Sequence, residues 1–159
     1  MAISSRYRPA TGLLLALALP SMGQQSCPQD TETYDLPMRD GVLLATDVYR
    51  APAPAPTLVM RTPYGKISNA PYAGIFSEEG YALVSQDLRG SGASEGVYRT
   101  PFDDAWGPKQ DGDDTVEWAA AGDWSNGDVC LTGYSALSIA TLAAAGAAPP
   151  SLKCAYSWV

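Results

Sequence analysis

Histidine is absent from the 159-residue sequence. Histidine is the side chain that most often acts as a general base near neutral pH, and a serine hydroxyl is a weak nucleophile without such a base beside it. The sequence also lacks the cysteine and histidine spacing that is typical of zinc sites. These 159 residues therefore exclude the usual base of a nucleophilic serine, and we expect no metal and no cofactor.

Positive charge is also scarce, with 10 lysines and arginines against 17 aspartates and glutamates and a formal net charge of −7. An acidic chain without a basic patch is not expected to bind nucleic acid. The acidity favours solubility instead. Hydrophobic residues make up 46% of the chain, which is typical of a globular protein, and the length favours one domain.

The apolar run near the N-terminus, Leu13–Leu19, is too short to span a bilayer. It follows Arg6 and Arg8 and precedes small residues, which is the pattern of a secretory signal peptide. We predict a signal peptide over residues 1–23, a secreted or periplasmic location, and no stable membrane association after cleavage. A membrane-tethered N-terminal helix and a lipoprotein attached at Cys27 are the alternatives.

Cysteine is limited to Cys27, Cys130 and Cys154. An oxidising compartment would permit a disulfide, but an odd count does not indicate a disulfide framework. Cys130 and Cys154 fall in two predicted core strands, where a free and buried cysteine is a common packing residue. We therefore predict free thiols at both positions.

The rest of the chain, residues 24–159, shows a hairpin followed by alternating strands and helices. An Asp-Gly turn joins the two hairpin strands, and short continuous apolar runs indicate strands buried on both faces. We predict strands at Thr31–Met38, Val42–Tyr49, Thr57–Arg61, Tyr81–Gln86, Val129–Thr132 and Leu152–Val159, and helices at Asn69–Glu79, Asp111–Ala121 and Ala136–Ala147. This order predicts the α/β class, with a mostly parallel sheet and helices on both faces. Since no helix follows the last strand, we expect a truncated fold.

Gly133-Tyr134-Ser135 joins a predicted strand to a predicted helix. A strand, a tight turn and a helix, with glycine two residues before serine, make up the nucleophile-elbow arrangement, which projects the serine hydroxyl above the sheet. The usual pattern is G-x-S-x-G, and Leu137 replaces the second glycine here. The alternative is a serine that only caps the N-terminus of the helix.

Residues 87–110 form a long loop that is rich in glycine, proline and acidic residues. We expect Asp87 and Arg89 to make an ion pair or turn hydrogen bonds that shape the rim of the site, and no G-K-[ST] follows that would indicate a phosphate loop. The aspartates in and after this loop lack calcium-ligand spacing, so we predict a solvated, helix-capping face at Asp103, Asp104, Asp111, Asp113 and Asp114. We predict packing roles for Trp106, Trp118 and Trp124.

Four further segments precede the elbow along the chain. Together with it, they resemble the X-Pro dipeptidyl-peptidase-like, or cocaine esterase-type, serine hydrolases over about residues 34–159. The segments are Met38–Val42 (MRDGV), Arg61–Lys66 (RTPYGK), Gln86–Gly96 (QDLRGSGASEG) and Trp124–Gly127 (WSNG). The resemblance implies the N-terminal half of an α/β-hydrolase domain that cleaves a small ester or peptide substrate.

The resemblance also implies roles for three residues. Ser135 matches the nucleophile, Tyr64 matches the tyrosine that points its hydroxyl into the oxyanion hole, and the backbone N–H of Ala136 would be the second donor. The acid and the histidine of the family lie downstream of the matched region, so we expect this chain to be inactive alone. The alternatives are a non-catalytic remnant or binding module that needs a partner, and a complete small esterase with Lys66 as its base. The sequence does not indicate an oligomeric state.

Overall fold

The computed structural model describes residues 31–99 and 105–158. The predicted signal peptide, Cys27, and the acidic pair Asp103 and Asp104 lie outside these residues. No helix within residues 31–99 or 105–158 is long and apolar enough to cross a membrane.

Six strands and three α-helices make up the described chain. The strands are β1 (Thr31–Pro37), β2 (Leu43–Tyr49), β3 (Ala55–Thr62), β4 (Ala82–Asp87), β5 (Ser125–Tyr134) and β6 (Leu152–Trp158), and the helices are α1 (Ala70–Glu78), α2 (Asp111–Ala121) and α3 (Ala136–Gly146). A single turn of 3₁₀ helix, Lys66–Asn69, leads into α1. Every strand and helix predicted from the sequence is present, with bounds that shift by a few residues.

The strands form one sheet in the order β1-β2-β4-β3-β5-β6. The hairpin strands β1 and β2 are antiparallel, and β2 joins β4 in the same sense. Strands β3 to β6 are mutually parallel, so that β3 pairs with both β4 and β5, and β5 pairs with β6. The predicted α/β class, with a mostly parallel sheet and an N-terminal hairpin, is confirmed.

Strand β3 begins inside the alanine-proline segment, two residues earlier than predicted. The pairing of β3 with β5 shifts register between Ala55 and Thr57, on either side of Pro56. Proline has no N–H to donate to the ladder, and such positions are confined to edges and irregularities of a sheet. The register shift therefore lets the strand contain a proline, which the sequence pattern alone did not indicate.

The two faces of the sheet pack against different helices. Val59, Val84 and Leu131 belong to a buried cluster that includes Val116 of α2 and Ala144 of α3. Alternating positions of the same strands, such as Met60 and Leu83, pack with Ala73 of α1 in a second cluster. The alternation follows from the two-residue period of a strand, and it confirms helices on both faces.

The tryptophan predictions are confirmed for two of the three residues. The ring of Trp118 lies 5.2 Å from the ring of Tyr34 and 5.2 Å from the ring of Trp124. Trp106, in contrast, is 67% exposed, so its predicted packing role is wrong.

The prediction of free thiols at Cys130 and Cys154 is wrong, because the structure joins them in a disulfide. The two cysteines are direct partners in the parallel pairing of β5 with β6, and their Cα atoms lie 4.7 Å apart. Cys130 is half-buried and Cys154 is exposed, so neither is a core thiol. The pairing depends on register between two strands, which spacing along the chain does not reveal.

Arg89 makes the central ion-pair network of the fold, and it does so without Asp87. Its guanidinium donates to both carboxylate oxygens of Asp111, at 2.8 and 2.6 Å, and to both of Asp40, at 2.9 and 3.0 Å. The prediction of a solvated Asp111 is therefore wrong, and Arg89 forms its ion pairs with Asp40 and Asp111, while Asp87 accepts a turn hydrogen bond from the N–H of Ala93, as predicted. The bonds from Arg89 lower the pKa of Asp40, and its bonds to Asp111 raise the pKa of Arg89 itself. Arg89 thus links the loop after β4 to the hairpin turn and to α2 through ion pairs.

The other acidic residues of the first turn of α2 lie on its partly exposed surface and pair with Arg39. Asp113 and Asp114 accept hydrogen bonds from Arg39 at 2.5 and 2.6 Å on the surface. They also lie where the positive end of the helix dipole favours negative charge. Their negative charge therefore favours the start of α2, whose N-cap residue, Gln110, makes no side-chain capping hydrogen bond.

The network around Arg89 generates a stability prediction. The side chains of Arg89 and Asp111 are only 9% and 2% exposed, so Arg89→Met leaves a buried carboxylate without its partner. Removing one member of a buried pair costs about 3–5 kcal/mol, and we expect a loss of this size in the free energy of unfolding measured by urea titration. The matched control is Lys153→Met, because Lys153 and Asp128 are 3.9 Å apart and more than half exposed. Equal effects of the two substitutions would contradict the prediction.

Candidate active site

Ser135 lies between the last residue of β5 and the first residue of α3, at the carboxyl edge of the parallel strands. Its backbone has φ 52° and ψ −122°, a region that residues with a side chain rarely adopt. The side chain is exposed and makes no capping hydrogen bond to the helix. The alternative of a serine that caps α3 is therefore wrong, and the turn has the strand–turn–helix shape that the sequence predicts for a nucleophile elbow.

Gly133 allows α3 to approach β5 at this turn. A Cβ atom on Gly133 would lie 2.6 Å from the backbone carbon of Leu137 and 2.7 Å from its Cβ, closer than real Cβ contacts. Leu137 itself is fully buried and packs with Met60 and Leu83. The leucine in place of the second glycine is thus accommodated, because its side chain fills the core and the small residue is needed at position 133.

Hydrogen bonds hold Ser135 from the strand side and from the helix side. Its N–H donates to the carbonyl oxygen of Trp158 in β6 at 3.2 Å. Its own carbonyl oxygen accepts from Ser138 at 3.0 Å and from Ile139 at 3.3 Å. The backbone of the elbow is therefore fixed while the hydroxyl stays open to solvent.

Ala136 is the first residue of α3, so its N–H has no acceptor within the helix. The N-terminus of a helix also carries partial positive charge. An N–H in this place, directly after Ser135, can donate to an oxygen that becomes negative when the serine attacks a carbonyl group. The N–H of Ala136 therefore lies directly beside Ser135, at the start of α3.

Tyr64 follows β3 by two residues, at the same edge of the sheet as Ser135, since β3 and β5 are parallel neighbours. Its N–H donates to Thr62 Oγ1 at 3.0 Å, and its side chain is 63% exposed. Tyr64 therefore does not pack on the sheet as a core aromatic. Burial raises the pKa of Tyr134, the neighbour of Ser135, with smaller contributions from Tyr72 and then from Tyr64.

Lys66, the alternative base, is committed to an ion pair. Its Nζ lies 2.5 Å from Oδ1 of Asp47, a carboxylate that is 5% exposed and also accepts a hydrogen bond from Thr33 at 2.7 Å. The carbonyl oxygen of Lys66 accepts from Ser85 Oγ at 2.8 Å, so the segment after Tyr64 is tied to the sheet at two points. An ammonium group held by a buried carboxylate has no lone pair to offer, which disfavours a serine–lysine dyad.

The loop after β4 is closed by its own hydrogen bonds. Asp87 accepts the N–H of Ala93 at 2.9 Å through its side chain and the hydroxyl of Ser94 at 2.8 Å through its backbone. A Cβ atom on Gly92 would lie 2.1 Å from the Asp87 carboxylate, which explains the glycine. Leu88 N–H donates to the carbonyl oxygen of Thr62, so the loop also braces the end of β3. A loop that already uses its donors in this way is a poor phosphate cradle.

Aromatic rings beside the elbow were not predicted from the sequence. The ring of Tyr134 lies 6.4 Å from that of Tyr72 in α1 and 5.9 Å from that of Trp158 in β6. These residues come from three distant segments, so no local pattern could have joined them. Within residues 31–99 and 105–158, no group of three or more histidine, cysteine, aspartate or glutamate side chains is placed to hold a metal ion.

The model of a known family matches most of this chain. The matching family is described as X-Pro dipeptidyl-peptidase (S15 family), and the match covers residues 40–159. Among curated proteins, the cocaine esterase of Rhodococcus sp. (strain MB1 Bresler) is 38% identical over 126 residues, which cover 74% of this chain and 21% of that esterase.

Solved structures show the same relationship. A CocE/NonD family hydrolase from Staphylococcus aureus superposes with a TM-score of 0.68 at 27% identity, over 79% of this chain and 26% of its own. An α-amino acid ester hydrolase superposes with a TM-score of 0.66 at 26% identity, over 94% of this chain and 28% of its own. The chain thus spans about a fifth of the curated relative and about a quarter of these structures.

The family match extends from the hairpin turn through the elbow to the end of β6, and it contains every residue singled out above at the carboxyl edge of the sheet. This chain belongs to the X-Pro dipeptidyl-peptidase (S15) family.

Proposed function

We propose that Ser135 is the nucleophile of a hydrolase that cleaves an ester or an amide through an acyl-enzyme. The observation that carries this proposal is the strained, exposed and uncapped conformation of Ser135 at the carboxyl edge of the sheet. Such strain costs about 1–3 kcal/mol and persists where the surrounding structure imposes it, commonly at active sites. The relatives support the reaction class, because they are described as an esterase, an ester hydrolase and a peptidase family.

In this proposal the Ala136 N–H and the Tyr64 hydroxyl form the oxyanion hole. Attack by Ser135 Oγ on a carbonyl carbon moves an electron pair onto the carbonyl oxygen, where the two donors stabilise the negative charge. One such donor is worth about 3 kcal/mol in transition-state stabilisation. Both donors follow neighbouring parallel strands, which supports their convergence on one oxygen.

The general base is proposed to come from outside these 159 residues. A histidine that takes the serine proton, and a carboxylate that orients the histidine, are the usual partners of such a serine. The chain has no histidine, and its relatives are about four to five times longer than the matched part. The same absence favours a second candidate, a non-catalytic module of this fold that binds a partner polypeptide.

The substrate is proposed to be a small ester or a peptide, by analogy with the esterase, the ester hydrolase and the peptidase family to which this chain is similar. The location is proposed to be secreted or periplasmic, on the strength of the N-terminal sequence pattern. Neither proposal depends on the other.

The nucleophile can be tested with a fluorophosphonate, which forms a bond between serine oxygen and phosphorus and releases fluoride. Loss of a triad base lowers turnover by roughly 10⁶-fold, so we expect the purified chain to give no ester burst and no stable adduct alone. We expect added imidazole to act as an external base and to promote an adduct on Ser135, measured by peptide mass spectrometry.

The matched variants for this experiment are Ser135→Ala and Ser68→Ala, since Ser68 is an exposed serine on the 3₁₀ turn. The first should abolish the imidazole-dependent adduct and the second should preserve it. An adduct that survives Ser135→Ala would overturn the assignment. Strong labelling of Ser135 without imidazole would instead mean that the chain carries its own base.

Tyr64→Phe tests the oxyanion donor in the same imidazole-assisted reaction. Removing the hydroxyl while keeping the ring should lower the labelling rate by about 100-fold, which corresponds to the loss of one oxyanion donor. The control is Tyr81→Phe, because Tyr81 precedes β4 and therefore lies at the opposite edge of the sheet. A rate that is unchanged in Tyr64→Phe would assign the tyrosine to another role.

Export is tested by the N-terminal sequence of the protein recovered from an exporting bacterial host. We expect the mature chain to begin at Gln24, and we expect Leu15→Arg to leave the precursor unprocessed, because a charge interrupts the apolar segment that the export machinery recognises. Ser4→Arg is the matched control, since added positive charge before that segment is compatible with export. A mature protein that begins at Met1 or Ala2 would refute the signal peptide.

A further inference from the structure

The Cys130–Cys154 disulfide lies in the same pair of strands as the nucleophile elbow. Cys130 precedes Ser135 by five residues in β5, and Cys154 is its partner in β6. Cys154 is exposed and Cys130 is half-buried, so an external thiol can reach the bond. Neither cysteine takes part in the proposed hydrolysis.

A continuous ladder of paired residues connects the disulfide to Ser135. From Cys130 and Cys154 the pairing runs without a further shift to Tyr134 and Trp158. The next contact is the N–H of Ser135, which donates to the carbonyl oxygen of Trp158 at 3.2 Å. The position of β6 therefore decides whether the elbow amide has an acceptor.

The register of β6 is irregular just before the disulfide. Val129 pairs with Leu152, whereas Cys130 pairs with Cys154, so Lys153 has no opposite residue. An unpaired residue of this kind interrupts the ladder locally. The disulfide lies at the first pair after the interruption and fixes the register of everything that follows it, including the Ser135 contact.

Non-covalent contacts also hold the carboxyl-terminal half of β6, since its ladder with β5 continues to Trp158 and α3 packs against the strand. Residues 153–156 and Trp158 are exposed. Ser157 shares a hydrogen bond with Ser138 of α3, and the Trp158 ring packs on Tyr134. The disulfide adds a covalent tie to these contacts.

We propose that the redox state of the Cys130–Cys154 disulfide controls the conformation of the nucleophile elbow. The oxidised disulfide holds β6 against β5 and keeps the Ser135 N–H bonded to Trp158, and reduction of the disulfide breaks this hydrogen bond. The proposal rests on the backbone geometry of the elbow and not on catalysis by Ser135. It therefore goes beyond the proposed hydrolase activity and survives or fails independently of it.

The reductant is a dithiol. One thiolate of the dithiol attacks the exposed Cys154 sulfur, the S–S bond breaks, and Cys130 leaves as a thiolate. The second thiol of the reductant then attacks the reductant's first sulfur, which is bonded to Cys154 in the mixed disulfide, and Cys154 leaves as a thiolate. Two electrons pass to the cysteines, the two protons of the dithiol end on the cysteine thiols, and the reductant leaves as a cyclic disulfide.

The test is amide hydrogen exchange of the full chain carrying Cys27→Ala, with and without dithiothreitol. Cys27→Ala removes the third cysteine, so iodoacetamide trapping followed by intact mass reports the Cys130–Cys154 pair alone. We expect two trapped thiols after reduction, with unchanged far-ultraviolet circular dichroism. We expect the amides of Ser135 and β6 to exchange at least about tenfold faster, while those of Leu83 and Val84 in β4 stay unchanged, as in a local opening.

In the double variant Cys130→Ala/Cys154→Ala, the amides of Ser135 and β6 should exchange at the rates of the reduced protein. Dithiothreitol should not change these rates. If this variant does not fold, the reduction of the Cys27→Ala chain decides the matter alone. The proposal is overturned if no thiols are trapped under native conditions, if Ser135 exchanges equally fast in both redox states, or if β4 accelerates as much as Ser135. The last result would mean that the disulfide stabilises the whole domain and not the elbow.

Discussion

The close approach of α3 to β5 at Gly133 is the constraint on which the candidate site depends. With a side chain at this position the helix could not start where it does, because its backbone already lies within 2.6 Å of a Cβ placed there. The start of the helix in turn forces Ser135 into its left-handed conformation and leaves the Ala136 N–H without an intrahelical acceptor. The exposed hydroxyl and the open donor are thus two results of one packing contact, which the buried Leu137 stabilises from the core side.

Ion pairs hold the loops in position at the same edge of the sheet. Arg89 joins the loop after β4 to Asp40 of the hairpin and Asp111 of α2, and Lys66 joins the segment after Tyr64 to Asp47 of β2. Loops at an active site gain precision from such ties, since productive geometry tolerates deviations of only about 0.5 Å. The hairpin therefore contributes to this edge of the sheet through the carboxylates of Asp40, in its turn, and Asp47, in β2.

The sequence predicted the elements of the fold and the position of the serine because those features have local signatures. Apolar runs marked the buried strands, an Asp-Gly turn marked the hairpin, and glycine two residues before serine marked the elbow. The pairing of Arg89 with Asp40 and Asp111, and of Cys130 with Cys154, had no such signature. These contacts join residues separated by 22 to 49 positions and depend on strand register and loop path, which only tertiary structure determines. The convergence of Tyr72, Tyr134 and Trp158 escaped prediction for the same reason.

The elbow keeps its strained geometry in a chain without histidine, and this fact separates two contributions that a complete triad combines. Strain at Ser135 is imposed by the sheet, by α3 and by the β6 carbonyl, all of which lie within the described residues. A base contributes reactivity, since it removes the proton, but it does not need to contribute shape. A histidine supplied by another polypeptide segment would therefore meet a serine that is already positioned, and its docking would not have to offset the cost of bending the backbone. One segment can thus position the serine while another supplies the base. This division is physically consistent, because the packing of the sheet and α3 already offsets the backbone strain at Ser135.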